Sequence, residues 1–328
     1  NKILQLQTKG YSGACWGYNF DCQARAFFQP KYTPTVVATS FISEALLMAY
    51  DITKQERLLQ TALSSCDFIL KDLNKSFDNE GDYTLSYSPL DSTQVFNAGL
   101  LGAKLLCLVY QYNKDEQLLV EARKIVSYVC KKQSNNGSWA SGSLPYHQWI
   151  DSFHTGYNLE CINAYQKASG DKTFRNNITK GLDYYLKNFF TQDGVSKYYN
   201  NHTYPIDIHA PAQLIVTLSK LEVFEDNKEL ANNVLNWTIE NMQAIAKKRG
   251  GKCLSKHYEY AAKHLDWECS EGHRWKAVPW SVKRGSWCRI CAFKKVVIGI
   301  EKMQMYAKKN SGLCLSKEYK DNNTYLEW

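Results

Sequence analysis

A helical hairpin that keeps returning is the feature that most constrains this chain. Four stretches read as pairs of helices separated by a short break. The first runs from Pro34 through Phe41, Ala45, Leu46 and Tyr50, breaks at Asp51–Gln55 and resumes over Glu56–Leu73. The others are Thr93–Tyr112 with Glu116–Lys132, Phe153–Ser169 with Thr173–Phe190, and Pro211–Phe224 with Asn227–Gln243. Apolar residues recur at i, i+3, i+4 and i+7, the spacing of one helix face. Tyr50, Tyr110 and Tyr165 fall at matching positions, 60 and 55 residues apart, and Ser219 follows 54 later. Such a two-helix unit buries its apolar faces by stacking on its neighbours, which gives a solenoid or a closed ring.

The two helices of each pair differ. The first is apolar almost all round, most plainly in Ala98-Gly-Leu-Leu-Gly-Ala-Lys-Leu-Leu-Cys-Leu-Val109, whereas the second carries a charged face. An inner ring of helices wrapped by an outer one accounts for that difference. The fold class expected is therefore mainly α: an α/α toroid over residues 1–243, with inner helices around a funnel.

The segment entering each inner helix then lies at one rim of the funnel. Three of these segments place an aspartate there, Asp91, Asp151 and Asp207, and two add a histidine, His154 and His209. Aspartate also caps helices, with no chemical role. A carboxylate beside an imidazole can instead move protons near neutral pH. These five are the candidate catalytic residues. Aromatics make up 13% of the chain, which suits a cleft that stacks sugar-like rings. Trp16, Asn19, Asp21, Tyr87, Trp149 and Tyr204 are the candidate substrate contacts.

Trp16-Gly-Tyr-Asn-Phe-Asp21, Ser86-Tyr-Ser-Pro-Leu-Asp91, Trp149-Ile-Asp-Ser-Phe-His-Thr-Gly156 and Tyr204-Pro-Ile-Asp-Ile-His209 carry a resemblance. Residues 1–243 resemble the α/α-toroid proteins of bacterial surface-polysaccharide clusters, a branch of the six-hairpin glycosidase-like superfamily. The resemblance implies a carbohydrate context and a carbohydrate-sized cavity. Against that pattern the chain lacks a first hairpin and closing helices, so the expected ring is incomplete.

From Lys247 the composition changes. Residues 247–328 carry 18 Lys+Arg against 8 Asp+Glu, or +10, while the remainder has 22 against 24, or −2. Cys269-x3-His273 and Cys288-x2-Cys291 have the spacing of four ligands to a structural Zn²⁺. The stretch Glu240–Tyr258 returns as Glu301–Tyr319 at an offset of 61. Residues 244–300 read as one zinc module and 301–328 as the start of a second copy. The Gly272-His-Arg-Trp275 turn and the Trp287-Cys-Arg-Ile-Cys291 knuckle resemble treble-clef zinc repeats, an α+β unit. That resemblance implies zinc and contact with nucleic acid, DNA or RNA. Lys283, Arg284, Arg289, Lys294 and Lys295 are the candidate phosphate contacts, with Trp275, Trp280 and Trp287 interleaved.

Eleven cysteines, several in apolar helical patterns, point to a reducing, cytoplasmic setting. No uninterrupted apolar run approaches the roughly 18 residues of a membrane span. The functional expectation is a saccharide-binding toroid that is a glycosidase, a lyase or an epimerase. The alternative is a non-catalytic binding protein whose tail contacts nucleic acid or a protein.

Overall fold

The computed structural model describes residues 2–24, 27–255, 264–296, 300–318 and 325–328, without the side chains of 293–296. The chain forms two compact units, Asn1–Val234 and Leu235–Trp328.

The first unit opens with α1 (Lys2–Gln5) and the short antiparallel pair β1 (Cys22–Gln23) and β2 (Phe28–Gln29). The hairpins follow: α2 (Val36–Thr53) with α3 (Glu56–Asp67), α4 (Phe96–Asn113) with α5 (Glu116–Lys131), and α6 (Ser152–Ser169) with α7 (Arg175–Phe189). The fourth pair is α8 (His209–Lys220) with α9 (Lys228–Lys248), which crosses the boundary between units. A π turn (Phe68–Asp72) and the antiparallel pair β3 (Lys75–Phe77) and β4 (Tyr83–Leu85) join the first hairpin to the second.

Helix α4 packs on α2 and α6, and α6 packs on α8, while α3, α5 and α7 each lie against their own inner partner. This is the α/α toroid expected from the alternation of apolar and amphipathic helices. Helix α4 buries nearly every residue from Phe96 to Cys107, so its sequence has no polar face to offer water. Helix α5 buries only Leu118 and Ala122 in its first half and then every residue from Ile125 to Cys130. Each large aliphatic side chain so buried contributes about 1.5–3 kcal/mol. Helix α2 is long and apolar enough, by length and composition, to cross a membrane, yet here it packs against α3 and α4.

The repeated positions in the sequence mark helix ends. Lys54, Lys114 and Gly170 sit in the left-handed region and donate their amides to Tyr50, Tyr110 and Gln166 carbonyls. Glu222, also left-handed, donates to Ser219. These bonds satisfy carbonyls that a helix end leaves without a partner.

The other ends are joined around the rim. The first residue of each of the first three inner helices donates its amide to the loop that enters the next one, while His209, the first residue of α8, donates to Asp207 in its own entering loop. Val36 N–H donates to Tyr87 O at 3.0 Å, Phe96 to Ser141 O at 3.0 Å, and Ser152 to Tyr198 O at 2.9 Å.

Within the ring one cation holds three helices. Lys104 of α4 donates to Glu44 of α2 at 2.8 Å and to Glu160 of α6 at 2.6 Å. The three side chains are 8%, 22% and 7% exposed. Burial opposes the charge of Lys104, but the acidic groups Cys161, Glu160 and Glu44 outweigh it and raise its pKa.

The second unit holds the antiparallel sheet β5 (Lys252–Cys253), β6 (Leu265–Glu268) and β7 (Arg274–Ala277), in that order. Helices α10 (Pro279–Lys283), α11 (Arg289–Val296) and α12 (Ile300–Lys309) follow. The repeat at 61 residues extends to individual hydrogen bonds. Gly251 donates to Ala246 O at the end of α9, and Gly312 donates to Ala307 O at the end of α12. Leu254 donates to Asp266 O and Leu315 to Glu327 O, both at 2.8 Å. Asp266 N–H reaches Ser255 Oγ, as Glu327 N–H reaches Ser316 Oγ. Gly250, at φ +71°, is replaced in the second copy by Ser311 at φ +58°.

Removing the cation from the buried triad should be costly. Lys104→Met leaves two carboxylates facing each other and is expected to lose about 3–5 kcal/mol in urea unfolding. Adding Glu44→Gln and Glu160→Gln should recover most of that loss. A single-mutant loss below about 1 kcal/mol, the range of exposed pairs, would show that solvent screens the triad.

Candidate functional site

A cavity of about 500 Å³ opens among the inner helices of the first unit. Its walls are aromatic, with Tyr18, Tyr87, Trp149, Phe153, Tyr157 and Tyr198 among them. Three imidazoles line it: His147, His154 and His209. No Asp, Glu, Lys or Arg side chain is among the described lining residues.

Asp151 is both a helix cap and a partner to a histidine. It is the N-cap of α6, where Oδ1 accepts the His154 amide at 3.0 Å. Its Oδ2 lies 2.7 Å from His154 Nδ1 and accepts Trp149 Nε1–H at 3.0 Å. The carboxylate is fully buried while the imidazole is 23% exposed. Nδ1 is thereby held, and Nε2 is the nitrogen left for a ligand. Asp207 and His209 repeat the arrangement, with Oδ1 at 2.7 Å from Nδ1, at a more exposed position. Phe153 lies between the two imidazoles, its ring centre 4.1 Å from that of His154 and 5.9 Å from that of His209.

Asp91 takes a different part from the one expected. Oδ1 accepts from Tyr87 N, Thr93 N and Thr93 Oγ, while Oδ2 accepts from Ser88 N, Ser88 Oγ and Gln29 Nε2. Six donors exceed the roughly four lone-pair sites of a carboxylate. Asp91 builds the turn that presents Tyr87 and has nothing left for a substrate.

Among the expected substrate contacts, Tyr87 and Trp149 line the cavity. Trp16 does not: it is 2% exposed, with Nε1–H on Ile3 O at 2.9 Å, a core residue. Asp21 closes a turn by accepting the Lys31 amide at 2.7 Å. Asn19 is exposed, Tyr204 is 73% exposed, and neither lines the cavity. An aromatic or polar residue near a motif carries no sign of which way it points, and that direction separates these from the true lining. His147, Ser141 and Asn97 line the cavity without having been singled out. His147 sits at the head of the same stretch as Asp151 and His154, which was the available signal.

In the second unit, Cys269, His273, Cys288 and Cys291 come together as their spacing requires. Their ligand atoms all lie within 4.8 Å of one another. His273 Nδ1 is 3.4 Å from Cys269 Sγ, 3.7 Å from Cys288 Sγ and 3.4 Å from Cys291 Sγ. The first pair sits on the β6–β7 turn, where Gly272 is left-handed at φ +75° and Cys269 N–H donates to His273 O. The second pair sits at the start of α11, where the Cys291 amide donates to Cys288 Sγ at 3.5 Å. This is a group fit to hold one metal ion.

The interleaved tryptophans are largely occupied. Trp287 packs edge-on to Trp275 at 4.9 Å and to Trp267 at 6.0 Å. Arg284 stacks on Trp280 at 4.5 Å, Arg289 opens α11 exposed, and Lys283 is exposed at the end of α10. The side chains of Lys294 and Lys295 lie outside the described residues.

No protein-family model matches the sequence, and no curated protein matches it. Solved structures do share the fold. A cellobiose 2-epimerase from Spirochaeta thermophila superposes with a TM-score of 0.57 at 12% identity, over 86% of this chain and 73% of that one. A sugar epimerase from a ruminal bacterium gives 0.55 at 12%, over 88% and 96%. A cellobiose 2-epimerase from Bacillus thermoamylovorans gives 0.51 at 16%, over 75% and 68%. At these identities the likeness is one of fold.

The hydrogen bond to Asp207 raises the His209 pKa above its ordinary 6.5, against the opposing effect of burial. A raised value favours the folded state while the imidazole is protonated. The gain is present below the unfolded pKa and lost as pH rises through the folded one. Asp207→Asn should move the His209 midpoint down in an NMR titration. An unmoved midpoint would mean the carboxylate does not hold the ring.

Proposed function

We propose that the first unit is a sugar-modifying enzyme of the epimerase type, in which imidazoles move a proton at carbon. The observation that carries this reading is the His154–Asp151 pair, 2.7 Å apart on the wall of an aromatic cavity. In the open-chain form of a reducing sugar, the hydrogen on the carbon next to the carbonyl is acidic enough for a positioned base. His154 Nε2 takes that proton, and the C–H electrons move into an enediolate. A second imidazole, His209, returns a proton to the same carbon from another direction, giving the epimer. The raised pKa of His209 suits it to the protonated role, and the hydrogen bond to Asp151 fixes the direction in which His154 meets the sugar. The epimerases that share the fold support this choice.

The glycosidase reading fits less well. It requires two carboxyl groups about 5–9.5 Å apart on either side of the bond. Asp91 is consumed by its turn, and the carboxylates of Asp151 and Asp207 stand behind imidazoles.

For the second unit we propose a structural Zn²⁺ in a treble-clef-like module. Bonds of about 2.3 Å to sulfur and 2.0 Å to nitrogen give tetrahedral edges near 3.5–3.8 Å, which the separations in the cluster approach. Four protein ligands leave no open position for chemistry. A nucleic-acid role has less support, since Trp275 and Trp287 pack on each other and Arg274 pairs with Glu268 at 2.7 Å.

Two measurements test these readings. Incubated in D2O with a panel of reducing hexoses and disaccharides, the protein should place deuterium at the carbon next to the carbonyl. His154→Asn should slow that exchange by roughly 10²–10⁴-fold at an unchanged melting temperature. No exchange into any member of the panel would sink the epimerase reading. Elemental analysis should find one zinc per chain, lost in Cys288→Ser, and a metal-free parent protein would remove the zinc assignment.

A further inference from the structure

Three lining residues carry polar atoms that nothing in the protein satisfies. Both ring nitrogens of His147, Asn97 Oδ1 and Ser141 Oγ are buried without a hydrogen-bond partner. The residues are 1%, 6% and 4% exposed. A buried polar group left without a partner costs about 1–3 kcal/mol. Four such atoms on one cavity wall are a cost that a ligand would repay.

The backbone around them is fully engaged, which isolates the side chains as the unspent groups. Ser141 N–H donates to Trp149 O at 2.8 Å, and Ser141 O accepts from Phe96. Asn97 stands in the first turn of α4, next to that joint. The His147 ring lies between Tyr146, at 4.6 Å, and Trp149, at 5.6 Å. Gly142 lets the loop close behind it. A Cβ at position 142 would stand 2.4 Å from Gln94 O and 3.2 Å from His147 Cβ. His147 is thus wedged by rings and backbone, with both its nitrogens buried and unpartnered.

We propose that Asn97, Ser141 and His147 form a hydroxyl-reading subsite that selects an uncharged sugar ring in this cavity. The proposal rests on the reading of the cavity as a sugar site. It goes further by naming what is recognised and by which atoms. A neutral imidazole offers one donor and one acceptor, an amide oxygen accepts, and a hydroxyl does both. Sugar hydroxyls, each donor and acceptor, complement that set. Burial lowers the pKa of His147, with nearby Asp91 opposing, so the ring is neutral at pH 7. A carboxylate or phosphate would meet no lysine or arginine among the described lining residues, and the imidazole favoured to carry a charge, His209, is not part of this subsite. The aromatic walls supply faces for the C–H side of a pyranose.

The test separates binding from turnover. Binding is read by saturation-transfer NMR and calorimetry with neutral reducing disaccharides of gluco, galacto and manno configuration, beside their uronic acid counterparts and glucose 6-phosphate. At least one neutral disaccharide should bind, with an affinity that rising salt leaves unchanged. Ser141→Ala and His147→Gln should each weaken it roughly five- to tenfold, the worth of one hydrogen bond. Ser141→Ala removes a hydroxyl that has no partner, so the unliganded variant should melt no lower than the parent. A hydroxyl serving structure alone would do the reverse, lowering the melting temperature and leaving binding intact. The inference is overturned if no neutral disaccharide binds, if only the anionic sugars bind, or if both variants bind as the parent does. Binding that is weakened by the variants in a protein showing no deuterium exchange would keep the subsite and reject the epimerase reading.

Discussion

An inner helix that begins inside a protein must place its first amides somewhere other than water. In three of the four inner helices the first amide is placed on the loop that enters the next helix: Val36 on Tyr87, Phe96 on Ser141, Ser152 on Tyr198. Everything at the rim follows from this. A loop whose carbonyl is already committed cannot drift, so its side chain is delivered to the cavity in a fixed direction. Tyr87, Ser141 and Tyr198 all line the cavity for that reason. The lysine between α2, α4 and α6 fixes the helices themselves, so that both the helices and the loops between them hold the same cavity.

The chemistry of the cavity depends on which groups stand in front and which behind. The carboxylates of Asp151 and Asp207 are one step back, each spending an oxygen on an imidazole Nδ1. In the proposed reading a sugar would therefore meet nitrogen bases, not the charges behind them. This order favours proton transfer at carbon over the paired carboxyls of glycoside hydrolysis. Asp91 shows the contrast. A third aspartate at the same kind of position was drawn into a six-donor turn and became scaffold.

The sequence made the helices legible because their burial is periodic. The helical pairs and the turn positions near Tyr50, Tyr110 and Ser219 could be read from that periodicity. The Cys/His cluster was legible for a different reason, since four candidate ligands in two close pairs state their own geometry. The cavity lining was less so. Trp16 and Trp149 are the same residue type in similar aromatic company, yet one is core and the other cavity wall. What separates them is the hydrogen bonding of the surrounding loop, which has no period and no composition. By sequence Asp151 is either a cap or a chemical group; in the structure it caps α6 with one oxygen and holds the His154 ring with the other.

The repeated hydrogen bonds of the second unit hold two copies in one geometry with different residues at the tightest point. Gly250 adopts its left-handed backbone freely, while Ser311 carries a Cβ there, at a conformational cost of about 1–2 kcal/mol. Shape is therefore shared between the copies and rigidity is not. The turn after α12 therefore reaches the shape of the turn after α9 only by holding a side-chain-bearing residue where glycine sits without cost.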